Sequence, residues 1–176
     1  MRGKTEQGFT LIELLIVVAI ISIIAALAVP GLLRARMTGN ETSALASMKV
    51  TTTSQVAYSA ACGNGGYASS YLILGTPPGG GTSEAFISKD LGQAAPIQKS
   101  GYTFAMPAAA GAVAGPTDCN GTVTVSVWYG TGVPLTIGVT GNRGFAVDAS
   151  NTVWQDTTGA APTQPFAASA TVSVIQ

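Results

Sequence analysis

Few residues in this chain can do chemistry, and their placement narrows what that chemistry is. The sequence has no histidine and balances eight Asp or Glu against eight Lys or Arg, so a Ser-His-Asp set is impossible and no basic field for nucleic acid exists. No specific nucleic acid, no cofactor and no enzymatic activity are expected. One carboxylate stands out by position: Glu13 is the only charge in the apolar run FTLIELLIVVAIISIIAALAV, residues 9–29. A carboxylate inside a membrane helix costs about 2.5–3.5 kcal/mol on insertion scales and is ordinarily retained for a partner of opposite charge at matching depth. A Glu that reaches the interface, or one that is protonated, is the alternative reading. Asp148, Asn151 and Asp156 are candidates to join backbone carbonyls around a calcium ion, although a hairpin turn accounts for Asp148 and Asn151 equally well. The PPGGG cluster at residues 77–81 lacks the Lys and Ser or Thr of a phosphate loop and reads as a turn. Cys62 and Cys119 form no CxxC pair; outside the cytoplasm a single disulfide is their natural state, and two buried free thiols are the alternative.

These groups must be positioned by a short polar start, an apolar helix and a β-rich remainder. Residues 1–8, MRGKTEQG, carry Arg2 and Lys4 ahead of the apolar run, which is long enough to cross a bilayer at ~20 residues. A secretory signal would have a shorter apolar core and a small-residue cleavage site beyond it. The basic residues in front predict a cytoplasmic start and an outside C-terminal portion.

The run GFTLIELLIVVAIISIIAALAVP, residues 8–30, closely resembles the N-terminus of type IV pilins and of the related pseudopilins of type II secretion. The resemblance rests on a basic leader, Gly8 before Phe9, a carboxylate four residues after Phe9, and the apolar span. It implies that a membrane prepilin peptidase cuts between Gly8 and Phe9 and that the new amino group of Phe9 is methylated. Gly8 suits such a site, because a side chain there would crowd a protease that binds extended backbone closely. In this family the Glu equivalent to Glu13 pairs with the α-amino group of a neighbouring subunit and sets helix registry. The implied partners are further copies of the chain, the peptidase, an inner-membrane assembly platform, an assembly ATPase and, before assembly, membrane lipid. The implied function is a structural subunit of a type IV pilus, serving adhesion, twitching motility or DNA uptake. The alternative is a pseudopilin of type II secretion, and the location is the inner membrane followed by a pilus or pseudopilus. The short leader and Phe9 look like the type IVa subclass. Cys62 at the helix end and the tail from Gln155 depart from that subclass.

The fold expected is α+β: a long N-terminal helix laid on an antiparallel sheet of four or five strands. Its parts are a leader at residues 1–8, a transmembrane or filament-core helix at 9–30, an amphipathic continuation at 31–61 and a β-rich head at 62–176. Pro30 cannot donate to the carbonyl of Ala26, so a kink is expected at Pro30 and Gly31. Leu33, Met37, Ala44, Leu45, Met48 and Val56 recur at helical spacings as the core stripe, with Arg34, Arg36, Glu41 and Lys49 between them. A short helix is expected around residues 88–91. Strands are expected at YTFA (102–105), TVTVSVWY (122–129), the alternating Leu135, Ile137 and Val139, GFAV (144–147), TVW (152–154) and ATVSVI, with a hairpin turn at 148–151.

Overall fold

The computed structural model describes residues 8–81 and 83–175. Of the expected leader only Gly8 is among them; residues 1–7 lie outside. One helix, α1 (Leu11–Ala61), runs on through Pro30 and Gly31. The chain divides into two compact units, one ending at Arg36 and one beginning at Met37.

In the first unit every residue from 8 to 36 is exposed, and the helix is long and apolar enough to cross a membrane. A helix is the one local structure that satisfies every backbone polar group within a single segment surrounded by hydrocarbon.

The second unit begins with the remainder of α1. Its buried positions are Glu41, Ala44, Ser47, Met48, Thr51, Ser54, Gln55 and Tyr58, three or four apart, which puts them on one face. The expected stripe holds at Ala44 and Met48, with Leu45 packed against the core, and differs at its ends and edge: Leu33 and Val56 are exposed and Glu41 is inside. Small polar side chains serve here because each finds a bond. The Thr51 hydroxyl donates to Ser47 O at 2.9 Å and Ser54 to Phe86 O at 2.8 Å. Gln55 donates to Ala68 O at 2.8 Å and accepts from Ala68 N at 2.9 Å. Satisfied in this way, they let the helix approach its covering loops closely without stranding a polar atom.

After α1 come a short helix α2 (Tyr71–Leu74), whose N-cap is Ser70, and a 3-10 turn at Pro78–Gly80. The helix expected near residues 88–91 is a single turn, with Leu91 N and Gly92 N both donating to Ser88 O. Gly92 ends it against the backbone of Gly75.

The strands are β1 (Ile97–Lys99), β2 (Tyr102–Ala105), β3 (Ala114–Thr117), β4 (Val123–Val125), β5 (Tyr129–Pro134), β6 (Gly144–Asp148), β7 (Val153–Asp156) and β8 (Val172–Val174). Six of them form one antiparallel sheet in the order β1-β2-β5-β6-β7-β8, against the four or five expected, and β3 and β4 form a separate ribbon. Ser100 and Gly101, both at positive φ, make the tight β1–β2 turn that matches strand twist. Helix α1 and the sheet share one core, in which Met48 joins Tyr102, Phe104, Phe145, Val147 and Val153.

Two expected strands are corrected. The run at 122–129 breaks after Val125: β4 pairs with β3, buries Thr124 and exposes Val123, and the chain then turns to place Trp128 in the core. Leu135, Ile137 and Val139 lie on a turn beyond β5 and are exposed. The central strand is instead the unpromising YGTGVP of β5. At Gly132 a Cβ would meet the Phe104 ring at 3.1 Å, so a glycine lets that ring lie flat against the strand.

Candidate functional site

The N-terminal segment begins with Gly8, Phe9 and Thr10 outside regular structure, all exposed, and helix α1 follows at Leu11. The backbone between Gly8 and Phe9 is thus open on the approach to the helix. Thr10 and Glu13 form a reciprocal cap. Glu13 N donates to Thr10 Oγ1 at 3.3 Å, while Thr10 N and the Thr10 hydroxyl donate to Glu13 Oε2 at 3.0 and 2.6 Å. This is the T-x-x-E capping box, which satisfies two of the amides a helix start leaves orphaned. The T-L-I-E spelling at residues 10–13 signals it in the sequence, and the sequence reading overlooked it. Among the described residues Glu13 Oε1 accepts no bond, so one oxygen stays available to a partner outside the chain.

Past this cap the helix presents aliphatic side chains on all sides. Leu11 is 81% exposed, and Ile16, Ile20, Ile24 and Leu27 are also exposed, so none of the described residues covers them. At ~25 cal/mol per Å² such a surface is not left in water and calls for lipid or for other helices. Pro30 and Gly31 lie within α1, where Pro30 offers no amide to the carbonyl of Ala26.

In the head, Cys62 and Cys119 are joined by a disulfide that closes a sequence separation of 57 and ties the end of α1 to the β3–β4 turn. Beside it Tyr58 donates to Asp118 Oδ2 at 2.7 Å, and Asn120 N and Thr122 N donate to Asp118 Oδ1. Burial acts to raise the Asp118 pKa, but these hydrogen bonds outweigh it and hold the carboxyl below its ordinary range.

The three calcium candidates are not brought together. Asp148 Oδ1 accepts from Ser150 N within the local turn, Asp148 Oδ2 accepts from the more distant Gln164, and Asn151 N donates to Asp148 O. Asp156 pairs with Gly144 at the other end of the hairpin, which is about 13 Å from Asp148 at ~3.3 Å per residue. No cluster of three His, Cys, Asp or Glu suited to a metal occurs among the described residues.

A second arrangement escaped the sequence reading. Glu41, 8% exposed, accepts from Arg143 Nε at 2.8 Å and from the amides of Asn142 and Arg143 at 2.8 and 3.3 Å. Arg143 Nη2 lies 2.8 Å from the same carboxylate, Nη1 donates to Gln155, and the guanidinium sits 5.7 Å from the Phe145 ring centre. The signal was present, since Glu41 stands three and seven residues before Ala44 and Met48.

Residues 3–29 match the family model of the prokaryotic N-terminal methylation motif. The chain is also similar to the type IV wide pilus major component PilA4 of Thermus thermophilus, at 59% identity over 39 residues. That stretch is 22% of this chain, and the chain spans about 30% of the length of this curated relative. No solved structure matches the chain. The methylation motif thus falls on the segment that carries Gly8, Phe9 and Glu13, and it is in its N-terminal part that the chain is similar to a type IV pilus component.

Proposed function

We propose that the chain is a structural subunit of a type IV pilus, made as an inner-membrane precursor with its head outside. A prepilin peptidase cuts between Gly8 and Phe9, the freed amine of Phe9 is methylated, and the apolar helices of many copies then bury one another in a filament. An assembly ATPase and a membrane platform supply the extraction. The observation that carries this reading is the apolar part of α1, which is exposed on every side and interrupted by one carboxylate. Glu13 pairs with the Phe9 amine of a neighbouring copy and so fixes the stagger between helices.

Intact-mass measurement and N-terminal sequencing of sheared surface filaments, beside the membrane fraction, test this reading. Methylated Phe9 at the start of a filament subunit is the expected result. The mature form confined to the membrane would move the assignment to a pseudopilin, and a chain that still begins at Met1 in both fractions would overturn it.

A further inference from the structure

The turn after β5 carries apolar side chains that the fold does not bury. Leu135, Ile137 and Val139 are 46%, 60% and 62% exposed, and no charged residue occurs between Asp118 and Arg143. The turn is held in one shape. Leu135 N donates to Gly101 O, Thr136 N to Thr140 Oγ1, Gly138 N to Gly141 O, and Val139 N and Thr140 N to Thr136 O. Gly138, at φ 81°, permits the tight reversal. An ordered, uncharged turn of this kind loses little conformational freedom when another surface closes over it.

The same head carries a surface fitted to receive it. Two apolar depressions of about 210 and 340 Å³ share Met106 and Pro107 as lining, and no charged residue lines either. Tyr71 and Leu72 wall one side of this joint groove, and Trp128 and Tyr129 wall the other. Leu72 is 52% exposed, so the groove opens at the surface. Each depression has room for a branched aliphatic side chain.

Turn and groove stand at opposite ends of one pair of strands. In the β2–β5 ladder Tyr102 faces Pro134 and Ala105 faces Thr131, so the turn leaves β5 beside the start of β2, whereas the groove lies where β2 ends and β5 begins. The helix gives the same measure. Asn40 Nδ2 donates to Thr140 O at the turn, and Gln55 donates to Ala68 O in the wall of the groove. At ~1.5 Å per residue Asn40 and Gln55 are roughly 22 Å apart along α1. The two surfaces therefore cannot meet within one copy. A projection at one end and a recess at the other fit between successive copies, in a heterologous contact that repeats without closing on itself.

We propose that the turn at 135–139 of one copy seats in the Met106 and Pro107 groove of the next, a head-to-tail contact that repeats along a filament. Three half-exposed aliphatic side chains and the groove that takes them cover on the order of a few hundred Å², against ~1,200 Å² or more for an interface that holds two free proteins together. The contact therefore forms between copies already aligned by their helices, and it rests on the reading of the chain as a filament subunit.

The test uses the full chain, assembled on cells and sheared off as filaments. A photoreactive benzophenone side chain is placed at position 137, or at 139 if the first disturbs assembly, and at position 150 on the β6–β7 turn as control. The expected result is a cross-linked dimer from position 137 and none from position 150, with the joined peptide carrying Leu72, Met106 or Trp128. Ile137→Asp and Leu72→Asp, both at exposed positions, should each cut filament yield about fivefold or more while the parental Tm is retained. Filaments that form but give no cross-link from 137, or one to residues outside the groove or to a different protein, would overturn the contact and leave the filament reading intact. A parental chain that never forms filaments would overturn that reading and the contact with it.

Discussion

Removing the Glu41 carboxylate should unfasten the head from the helix that carries it, and the structure sets the size of the effect. Breaking a buried ion pair from one side costs about 3–5 kcal/mol when the remaining charge is trapped. Here the Glu41 side chain is 10% exposed but that of Arg143 is 39% exposed, so the guanidinium regains water once its partner is gone. Asn142, whose amide loses its acceptor, is exposed as well. These two facts bring Glu41→Ala down to about 2–3 kcal/mol. Glu41→Gln, which keeps an acceptor for the Asn142 amide and loses the charge, should cost about 1 kcal/mol. For a domain this size, with a urea slope near 2 kcal/mol per M, the first variant should move the unfolding midpoint by roughly 1–1.5 M. The assay is urea unfolding in detergent with the disulfide intact, followed through Trp128 and Trp154. Arg143→Met completes a double-mutant cycle, and the pair should couple by about 1 kcal/mol or more. A midpoint for Glu41→Ala within about 0.3 M of the parent, or strict additivity in the cycle, would refute the clamp.

Three further outcomes are expected. Thr10→Val removes the side-chain half of the capping box, a loss of about 1 kcal/mol, and should speed hydrogen exchange at the Glu13 amide roughly fivefold, while Thr10→Ser should leave it unchanged. Replacing Cys62 and Cys119 together by Ser frees a loop with a sequence separation of 57. Chain entropy then predicts a loss of about 4 kcal/mol in the same urea assay, and a loss below about 1 kcal/mol would show that the helix end and the ribbon hold together without the bond. Asp118 and Asp156 both titrate below the ordinary carboxylate range in the fold, Asp156 chiefly through the Thr158 amide. Their contribution is therefore complete above about pH 4, the unfolded value, and is lost as pH falls through the lower folded values. Asp118→Asn should flatten the dependence of Tm on pH below 4, and an unchanged slope would show that this carboxyl does not drive acid unfolding.

What could be read from the sequence divides along physical lines. The apolar run was legible because a membrane imposes strict length and polarity limits that survive without tertiary context. The β6–β7 hairpin was legible too, since alternating residues flank a turn at Asp148 to Asn151 whose chemistry is local. The central strand β5 was not, because YGTGVP has poor strand propensity and is strand only where Phe104 needs the bare backbone of Gly132. The alternation at Leu135, Ile137 and Val139 imitated a strand, yet those residues belong to a turn closed by Thr136 and Thr140. On α1 hydrophobicity found Ala44 and Met48 but pointed also to Leu33 and Val56, whereas the buried stripe is completed by Glu41, Ser47, Thr51 and Gln55, of which Glu41 and Gln55 bond to partners far along the chain. Burial by satisfied polar groups is a tertiary fact, so hydrophobicity alone found the centre of the stripe and missed its polar members.

On the proposed reading of the chain as a filament subunit, the direction of assembly should depend on Glu13 more than on the apolar run around it. Lipid tails are as apolar as Leu and Ile, so moving α1 from bilayer to filament yields little hydrophobic free energy for those side chains. The carboxylate is different: among the described residues it meets Thr10, through Oε2, and in the proposed filament Oε1 would take a neighbour's amine. Glu13→Ala should remove the insertion penalty of about 2.5–3.5 kcal/mol and make the helix more comfortable in lipid, while deleting the gain on assembly. Cleavage at Gly8 should continue, since the backbone before the helix is unaffected, and mature subunit should accumulate in the membrane at the expense of sheared filaments. Glu13→Gln separates the two roles, because its amide oxygen still accepts from Thr10 N but carries no charge for an amine. It should retain the cap and still fail to assemble. Parental filament yield from Glu13→Ala would show that helix packing alone drives assembly, and normal yield from Glu13→Gln with none from Glu13→Ala would show that capping, and not the ion pair, is what the filament needs.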